Sequence, residues 1–514
     1  MFVSMSRYVF ALVGFLFLVN CTQSVAQPTC YGPNGPRKLS DLSEEVRGIL
    51  ARDPTAYQFK NAFIHQVKRL KENRQLVERG LGGEGSGAAV LNLSVQGVRS
   101  VPVLLGKFNN SPAANPFTAA NLQQQLFDGP WASGTMTEYY DEISYGDLQV
   151  TGTVYNWITA SLNDTAYEGT NNGLDPTTDR TDEFIIDVLN GNDAAVDFSQ
   201  YDNDGPDGVP NSGDDDGFVD FIAIVHPEVG GEDTGGGSNL WSHRWTLGSW
   251  GSSFTTNDAR AGGGFIRIND YTIMPGLEGG GGMIEIGVFC HEFGHAFGIP
   301  DLYDTDNTNG TGQGLGHWCL MAGGNWNSVT HPAHMSAWAK TELGWIVPTV
   351  VANDLASWPI HSASVSRTAF KLWTNGTPGT EYFLVENRTR DGFDDQLWGE
   401  GLIIYHVDEG VVSANLWSNR VNANETNKGI DIECEDQTGN DHVSNTDALD
   451  ANTSAGDAGD PFCSTDFDGT STPSSVAYNG AATGVAVRNI TGCGSREVIA
   501  DLIVGSAVPT AVNL

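Results

Sequence analysis

The run His291-Glu-Phe-Gly-His-Ala-Phe-Gly-Ile-Pro-Asp301 decides how the chain is read. On a helix, His291 and His295 stand at i and i+4 on one face, one turn apart. Two imidazole nitrogens then converge on one zinc ion, and Glu292 is close enough to take the proton of a water held there. Gly298 ends the helix, because glycine takes the left-handed conformation that turns the chain sharply. Pro300 keeps the helix from resuming, and Asp301 arrives as the third ligand. Asp304 and Asp306 lie nearby as competitors for that place. Three protein ligands leave a fourth position open, which is how a catalytic zinc site differs from a structural one. A chance His-Glu-x-x-His on a surface helix is the competing reading, and the Gly and Asp at the further offsets weigh against it.

Further along comes Trp318-Cys-Leu-Met-Ala-Gly-Gly324. A methionine in a glycine-rich loop is ordinarily core filling. Here it follows a complete ligand motif, and the loop resembles the Met-turn that passes beneath the metal in metzincin peptidases, with Met321 as the methionine. Four more stretches accompany it in order: Glu138-Tyr-Tyr-Asp-Glu-Ile-Ser-Tyr-Gly146, Leu240-Trp-Ser-His-Arg-Trp245, Glu381-Tyr-Phe-Leu-Val-Glu-Asn-Arg388 and Gly401-Leu-Ile-Ile-Tyr-His-Val-Asp408. Together, over roughly residues 99–505, the chain resembles the immune inhibitor A family of secreted bacterial zinc metallopeptidases. That resemblance implies endopeptidase activity on proteins, a metzincin-like catalytic domain and a following β-rich domain. Two positions depart from the wider pattern. Asp301 stands where many metzincins have a third histidine, and Gly323 where some have a tyrosine, so no tyrosine donor is assigned.

Met1 to Ala26 reads as a signal peptide: Arg7 is the positive start, Tyr8 to Val19 the apolar run, and Ser24-Val-Ala26 the cleavage site before Gln27. The apolar run is too short to span a bilayer, and no later one is longer, so an exported protein without an integral membrane segment is expected. Leu18-Val-Asn-Cys21 offers lipoprotein anchoring as the weaker alternative, because Asn precedes the Cys. The chain carries 63 acidic and 26 basic side chains, a net charge of −37. Nucleic acid is thereby excluded as a partner, since phosphate binding needs a basic surface. The acidity has two readings: solubility, including in a salty habitat, and structural calcium, a hard ion that takes carboxylate and carbonyl oxygens.

Once Cys21 leaves with the signal, Cys30, Cys290, Cys319, Cys434, Cys463 and Cys493 remain. An even number in an exported protein favours disulfides, with the pairing left open by the sequence. A bond between Cys290, next to His291, and Cys319, just before Met321, would fasten the Met-turn to the zinc helix. Cys30 offers another use, capping the zinc from a prosegment.

Residues 27–79 hold 10 Lys plus Arg against 6 Asp plus Glu, the reverse of the remainder. Asn61 to Leu70 has apolar residues at helical spacing, and Gly80 to Gly87 is a flexible linker. A basic segment tethered to an acidic enzyme suggests a prosegment, with a helical decoration of the mature protein as the alternative. After it, Val101–Leu105 reads as a buried strand, Phe117–Phe127 and Phe184–Leu189 as helices, Phe218–Val225 as a central strand and Met283–Phe297 as the zinc helix. Beyond Pro348 the helical period vanishes, and strands are expected at 381–387, 401–407, 485–490 and 497–504. The expected organisation is a signal peptide (1–26), a prosegment with linker (27–95), an α/β (α+β) metzincin-like zinc peptidase domain (96–348) and an all-β, sandwich-like C-terminal domain (349–514).

Asp202-Asn-Asp-Gly-Pro-Asp-Gly208 and Asp214-Asp-Asp-Gly-Phe-Val-Asp220 put alternating carboxylates in tight turns. Pro206 and Asp207 break the EF-hand template, which leaves a different calcium loop through Asp202, Asp204, Asp214, Asp216 and Asp220, or a solvated acidic turn. Asp466-Phe-Asp-Gly469 is a weaker calcium candidate. His243 and Arg244 are expected to be structural, as are His406 and Asp408. The resulting expectation is a secreted, monomeric zinc endopeptidase acting on extracellular proteins or peptides, with Glu292 as general base. Its rival is a calcium-dependent adhesin or binding protein with an inactive peptidase domain. An intact Glu292 argues against the rival, because a relic site has no need of the base.

Overall fold

The computed structural model describes residues 95–505 apart from 206, 235–237, 306–311, 329, 425 and 437–454. The expected signal peptide, basic segment, glycine linker, Cys21, Cys30 and Asp306 lie outside the described residues.

The first half is built on a mixed sheet. Its strands are β1 (Gly97–Lys107), β2 (Leu148–Thr159), β3 (Ala223–Val229), β4 (His243–Thr246) and, after the small hairpin β5 (Phe254–Ala259) and β6 (Phe265–Ile268), β7 (Asp270–Leu277). They lie in the order β2-β1-β3-β7-β4, parallel except for β4 at the edge. The helices are α1 (Ala119–Gln123), α2 (Met136–Ile143), α3 (Asp164–Glu168), α4 (Thr181–Asn192), α5 (Ile286–Ala296) and α6 (Ala337–Glu342). Side chains alternate across β1: Val101, Val103 and Leu105 enter the core that contains α5, while Leu104 enters the one containing Phe184 and Val188 of α4. Both faces are therefore dry, which is why β1 reads as a continuous apolar run.

Two expected elements are shorter than their sequence patterns. The strand foreseen from Phe218 begins only at Ala223. Before it, Val219 N–H donates to Arg267 O of β6 at 2.9 Å and Asp220 N–H to Tyr201 O at 2.8 Å, so this backbone is spent outside the main sheet. The zinc helix starts at Ile286 rather than Met283, because Met283 bridges to Leu277 and Ile284 N–H donates to Gly276 O. The helix foreseen over Phe117–Phe127 is α1 continued by a π turn, Gln124–Asp128.

The second half is β-rich: β8 (Thr349–Val350), β9 (Leu355–His361), β10 (Phe370–Leu372), β11 (Glu381–Arg388), β12 (Gly401–Asp408), β13 (Ile430–Glu433), β14 (Ala486–Thr491) and β15 (Glu497–Ile503), with α7 (Glu409–Asn415) after β12. All four strands expected from the sequence are present. One sheet runs β13-β12-β11-β10-β8 and the other β14-β15-β9. On β11 and β12, Phe383, Val385, Leu402 and Ile404 face a core shared with Val498 and Leu502 of β15. The alternate residues Leu384, Ile403 and Tyr405 face the other way, into the core that holds Met321 and α5. The larger β-rich sheet is thus a wall of the catalytic half's own core.

Candidate metal centre

The centre stands on α5, whose residues are all buried. Gly298, at φ 104°, turns the chain out of the helix, and Ile299 N–H donates back to Gly294 O at 3.1 Å. This brings Asp301 beneath the two histidines. Asp301 Oδ1 lies 3.1 Å from His291 Nε2 and 3.2 Å from His295 Nε2, and the three donor atoms lie within 4.8 Å of one another. Zinc bonds of about 2.0–2.1 Å in a tetrahedron put neighbouring donors about 3.3 Å apart, so this set of two nitrogens and one oxygen fits the ion.

The ring orientations are fixed from behind. His291 Nδ1 lies 2.8 Å from Leu320 O, and His295 Nδ1 2.8 Å from Ile299 O. A carbonyl accepts only, so each Nδ1 carries the proton and each Nε2 presents its lone pair. Burial raises the Asp301 pKa, but His295 and His291 overrule it and hold the carboxyl well below the usual range. For His295 burial acts downward, and Asp301 lifts it overall. A metal ion at this centre would take neutral imidazoles and an ionised carboxylate, so its binding is pH-dependent.

Glu292 is 1 % exposed beside His291. Its charge adds to the rise of a second carboxyl, Glu232, which burial first of all pushes up to about 7 and which accepts from Ser242 N–H at 3.1 Å. Met321 does lie under the helix. A Cβ on Gly294 would stand 2.3 Å from Met321 Sδ, so the glycine inside the zinc helix is where the methionine fits. The Glu138–Gly146 stretch supports the same parts: Tyr140 OH donates to Cys290 O, and Tyr139 OH to Ala333 O at 2.7 Å.

A second layer comes from the β-rich half. Asn419 accepts from Asp301 N–H at 2.7 Å and donates to Asp301 Oδ2 at 2.6 Å. Arg388 is fully buried, holds Asp394 through two nitrogens at 2.7 and 2.6 Å, and donates to Trp318 O at 2.8 Å. Sequence reading missed Asn419, Arg388, Gly294 and Glu232. For Gly294 the signal was a glycine inside a helix, where it costs stability unless space demands it. The others carry no local signal.

The remaining expected residues fall as follows. Asp304 is buried but stands outside the histidine cluster. In the acidic loop Asp202, Asp204 and Asp215 come together. Asp214 and Asp216 are exposed, and Asp220 accepts from Asn203 N–H at 3.1 Å. Burial, then Asp215, Asp216 and Asp204, pushes Asp202 up to about 7, and burial with Asp216 pushes Asp204 up to about 6. The Cys290–Cys319 bond is corrected: both are buried free thiols, and Cys319 Sγ instead accepts from Ser336 N–H at 3.3 Å. Among the described residues the disulfide joins Cys463 and Cys493, with 5.8 Å between Cα atoms. Arg244 pairs with Asp270, and His243 lies 3.0 Å from Tyr271 OH. His406 lies between Glu381 at 3.0 Å and Glu433 at 3.1 Å, and Asp408 caps α7. Asp468 pairs with Arg488 rather than joining a carboxylate cluster.

Residues 118–346 match the family model described as immune inhibitor A peptidase M6, catalytic domain. Immune inhibitor A of Bacillus thuringiensis subsp. alesti is 35% identical over 212 residues, which are 37% of this chain and 28% of that protein. Pre-pro-metalloprotease PrtV of Vibrio cholerae serotype O1 (strain M66-2) is 33% identical over 228 residues, 41% of this chain and 23% of that protein. The alignments thus span about a quarter of the length of these relatives. Residues 118–346, which contain the whole His291–Asp301 centre and Met321, are thus similar to the catalytic domain of the immune inhibitor A peptidase M6 family.

Proposed function

We propose that this chain is a zinc-dependent endopeptidase that hydrolyses peptide bonds of extracellular proteins. The observation that carries the reading is the convergence of His291, His295 and Asp301 with Glu292 buried beside them. Zinc, when bound, supplies Lewis acidity and lowers the pKa of a water to about 7. His291 and His295 hold the ion through Nε2, each kept in that tautomer by its Nδ1 bond. Asp301 adds the anionic donor. Glu292 takes a proton from the attacking water and passes it to the leaving amine. With an aspartate as third ligand the centre is less positive than a three-histidine site, which puts more of the work on Glu292.

Secretion rests on the Met1–Ala26 pattern, and the prosegment on the basic stretch 27–79; a relative's name, pre-pro-metalloprotease, agrees with both. No helix among the described residues is long and apolar enough to cross a membrane. The domain limits 96–348 and 349–514, a metzincin-like first fold, a sandwich-like second one and a monomeric state belong to the same proposal. Calcium at Asp202, Asp204 and Asp215 is supported by hard oxygen donors gathered in one buried turn and by the raised carboxyls they produce.

The test is proteolysis of casein by the processed protein, with zinc content measured alongside. Glu292→Gln should keep zinc and lose about 10²–10⁴ in rate, and Asp301→Ala should lower zinc occupancy whereas Asp304→Ala should not. Near-wild-type cleavage by the Glu292 variant would sink the mechanism. A wild-type protein that holds zinc yet cuts nothing would favour the adhesin instead.

A further inference from the structure

We propose that Asn419, on the loop after α7, is a positioning residue of the metal centre: its amide sets the rotamer of Asp301, so the third ligand is oriented from outside the matched catalytic segment. The proposal rests on the zinc reading of His291, His295 and Asp301. Asn419 is buried, and its side chain meets Asp301 twice: Oδ1 accepts from Asp301 N–H at 2.7 Å, and Nδ2 donates to Asp301 Oδ2 at 2.6 Å. That divides the carboxylate. Oδ2 is held by the amide, and Oδ1 is left to face both imidazoles at 3.1 and 3.2 Å.

The partners settle the amide orientation: an N–H needs an acceptor and a carboxylate needs a donor, so swapping O and N breaks both bonds. An aspartate at 419 would keep the acceptor but set a second carboxylate against Asp301. The backbone is fitted to the same task. Asn419 has φ 55° and ψ 40°, a left-handed conformation that asparagine tolerates better than most residues. Asn419 O accepts from Thr305 Oγ1 at 2.6 Å, which ties the strap to the far side of the ligand turn. Asn422 anchors its base, donating to Leu302 O at 3.0 Å and to Ile430 O of β13 at 2.8 Å. Bonds of this kind to metal-bound carboxylates and imidazoles are worth about 10–100-fold in metal affinity.

The experiment measures zinc affinity of the full chain by chelator competition, and thermal melting of its metal-free form, for wild type, Asn419→Gly and Asp301→Ala and the double variant. Glycine accepts the left-handed backbone, so the metal-free melting point should move little while zinc affinity falls about 10–100-fold. In the Asp301→Ala background the glycine should cost no further affinity, because Asn419 acts through Asp301. Unchanged zinc affinity in Asn419→Gly, or an equal loss with and without Asp301, would overturn the positioning role while leaving the zinc centre standing. Absence of zinc binding in the wild type would overturn both. Should the glycine variant not fold, Asn419→Asp keeps the bond from Asp301 N–H and repels its Oδ2, and must likewise lower zinc affinity for the proposal to hold.

Discussion

The tightest constraint at the scale of single residues is the fit of Gly294 to Met321. Alanine would ordinarily favour a helix over glycine by about 1 kcal/mol. Here its Cβ would stand 2.3 Å from Met321 Sδ, and 3.1 Å from Met335 Cε. Both side chains are buried in the core, so they have nowhere to retreat. Gly294→Ala should therefore destabilise by about 1–3 kcal/mol despite its better propensity, and lower zinc affinity by tilting α5. Met321→Ala makes room, so the double variant should be less destabilised than the two single losses added together. Urea melts of the four proteins check this. Simple additivity would mean that the methionine does not set the glycine. The residues legible in the sequence share this local character: His291, His295 and Asp301 sit in one short segment whose spacing is set by helix geometry alone. Asn419 reaches the same cluster across 118 positions of chain, and no spacing rule covers that distance.

At the scale of elements, the acidic loop shows what alternation predicts and where it fails. Asp202 and Asp204 lie on one side as the pattern requires, but the partner they meet is Asp215, not Asp214 or Asp216. The turn carries Asp215 inward, where its Oδ1 accepts from Gly205 N–H at 2.7 Å, and leaves its neighbours outside. Strand alternation does not extend through a turn, which is why the flanking residues were misread. At the end of the loop the N–H groups of Val219 and Asp220 go to Arg267 of β6 and to Tyr201, so β3 starts late. Burial lifts Asp202 to about 7, with repulsion from its neighbours adding to it, and a cation among the three carboxylates relieves that repulsion. Calcium should then raise the melting temperature by mass action, about 2.7 kcal/mol at a hundred times its dissociation constant. Asp202→Asn should weaken that response, and Asp214→Asn should leave it intact. An unchanged melting curve across millimolar calcium would leave only a solvated acidic turn.

For the whole molecule, the sequence separates two halves near Pro348, yet the packing joins them. The strands past that point were legible because their apolar runs are long and bounded by Gly, Asn and Asp. Their second buried face was not, since a run dry on both sides reads the same whatever covers it. Leu384, Ile403 and Tyr405 close the core that holds α5 and Met321. Arg388 grips Asp394, which reaches across the same boundary to accept from His334 N–H at 2.8 Å. Buried Lys340 continues the chain of contacts, donating to Tyr145 OH at 3.1 Å and standing 2.9 Å from His334 Nδ1; burial, more than any neighbour, brings its pKa down to about 8. Because one apolar core takes residues from both sides of Pro348, the two sides should unfold together. Arg388→Ala leaves Asp394 charged and buried without its guanidinium, and strips the donor from Trp318 O in the loop that leads to Met321. The loss expected is about 3–5 kcal/mol, and calorimetry should show one transition displaced downward as a whole. Two resolved transitions in the wild type, with only the later half responding to Arg388→Ala, would mean that the β-rich region is an appendage rather than a wall of the catalytic core.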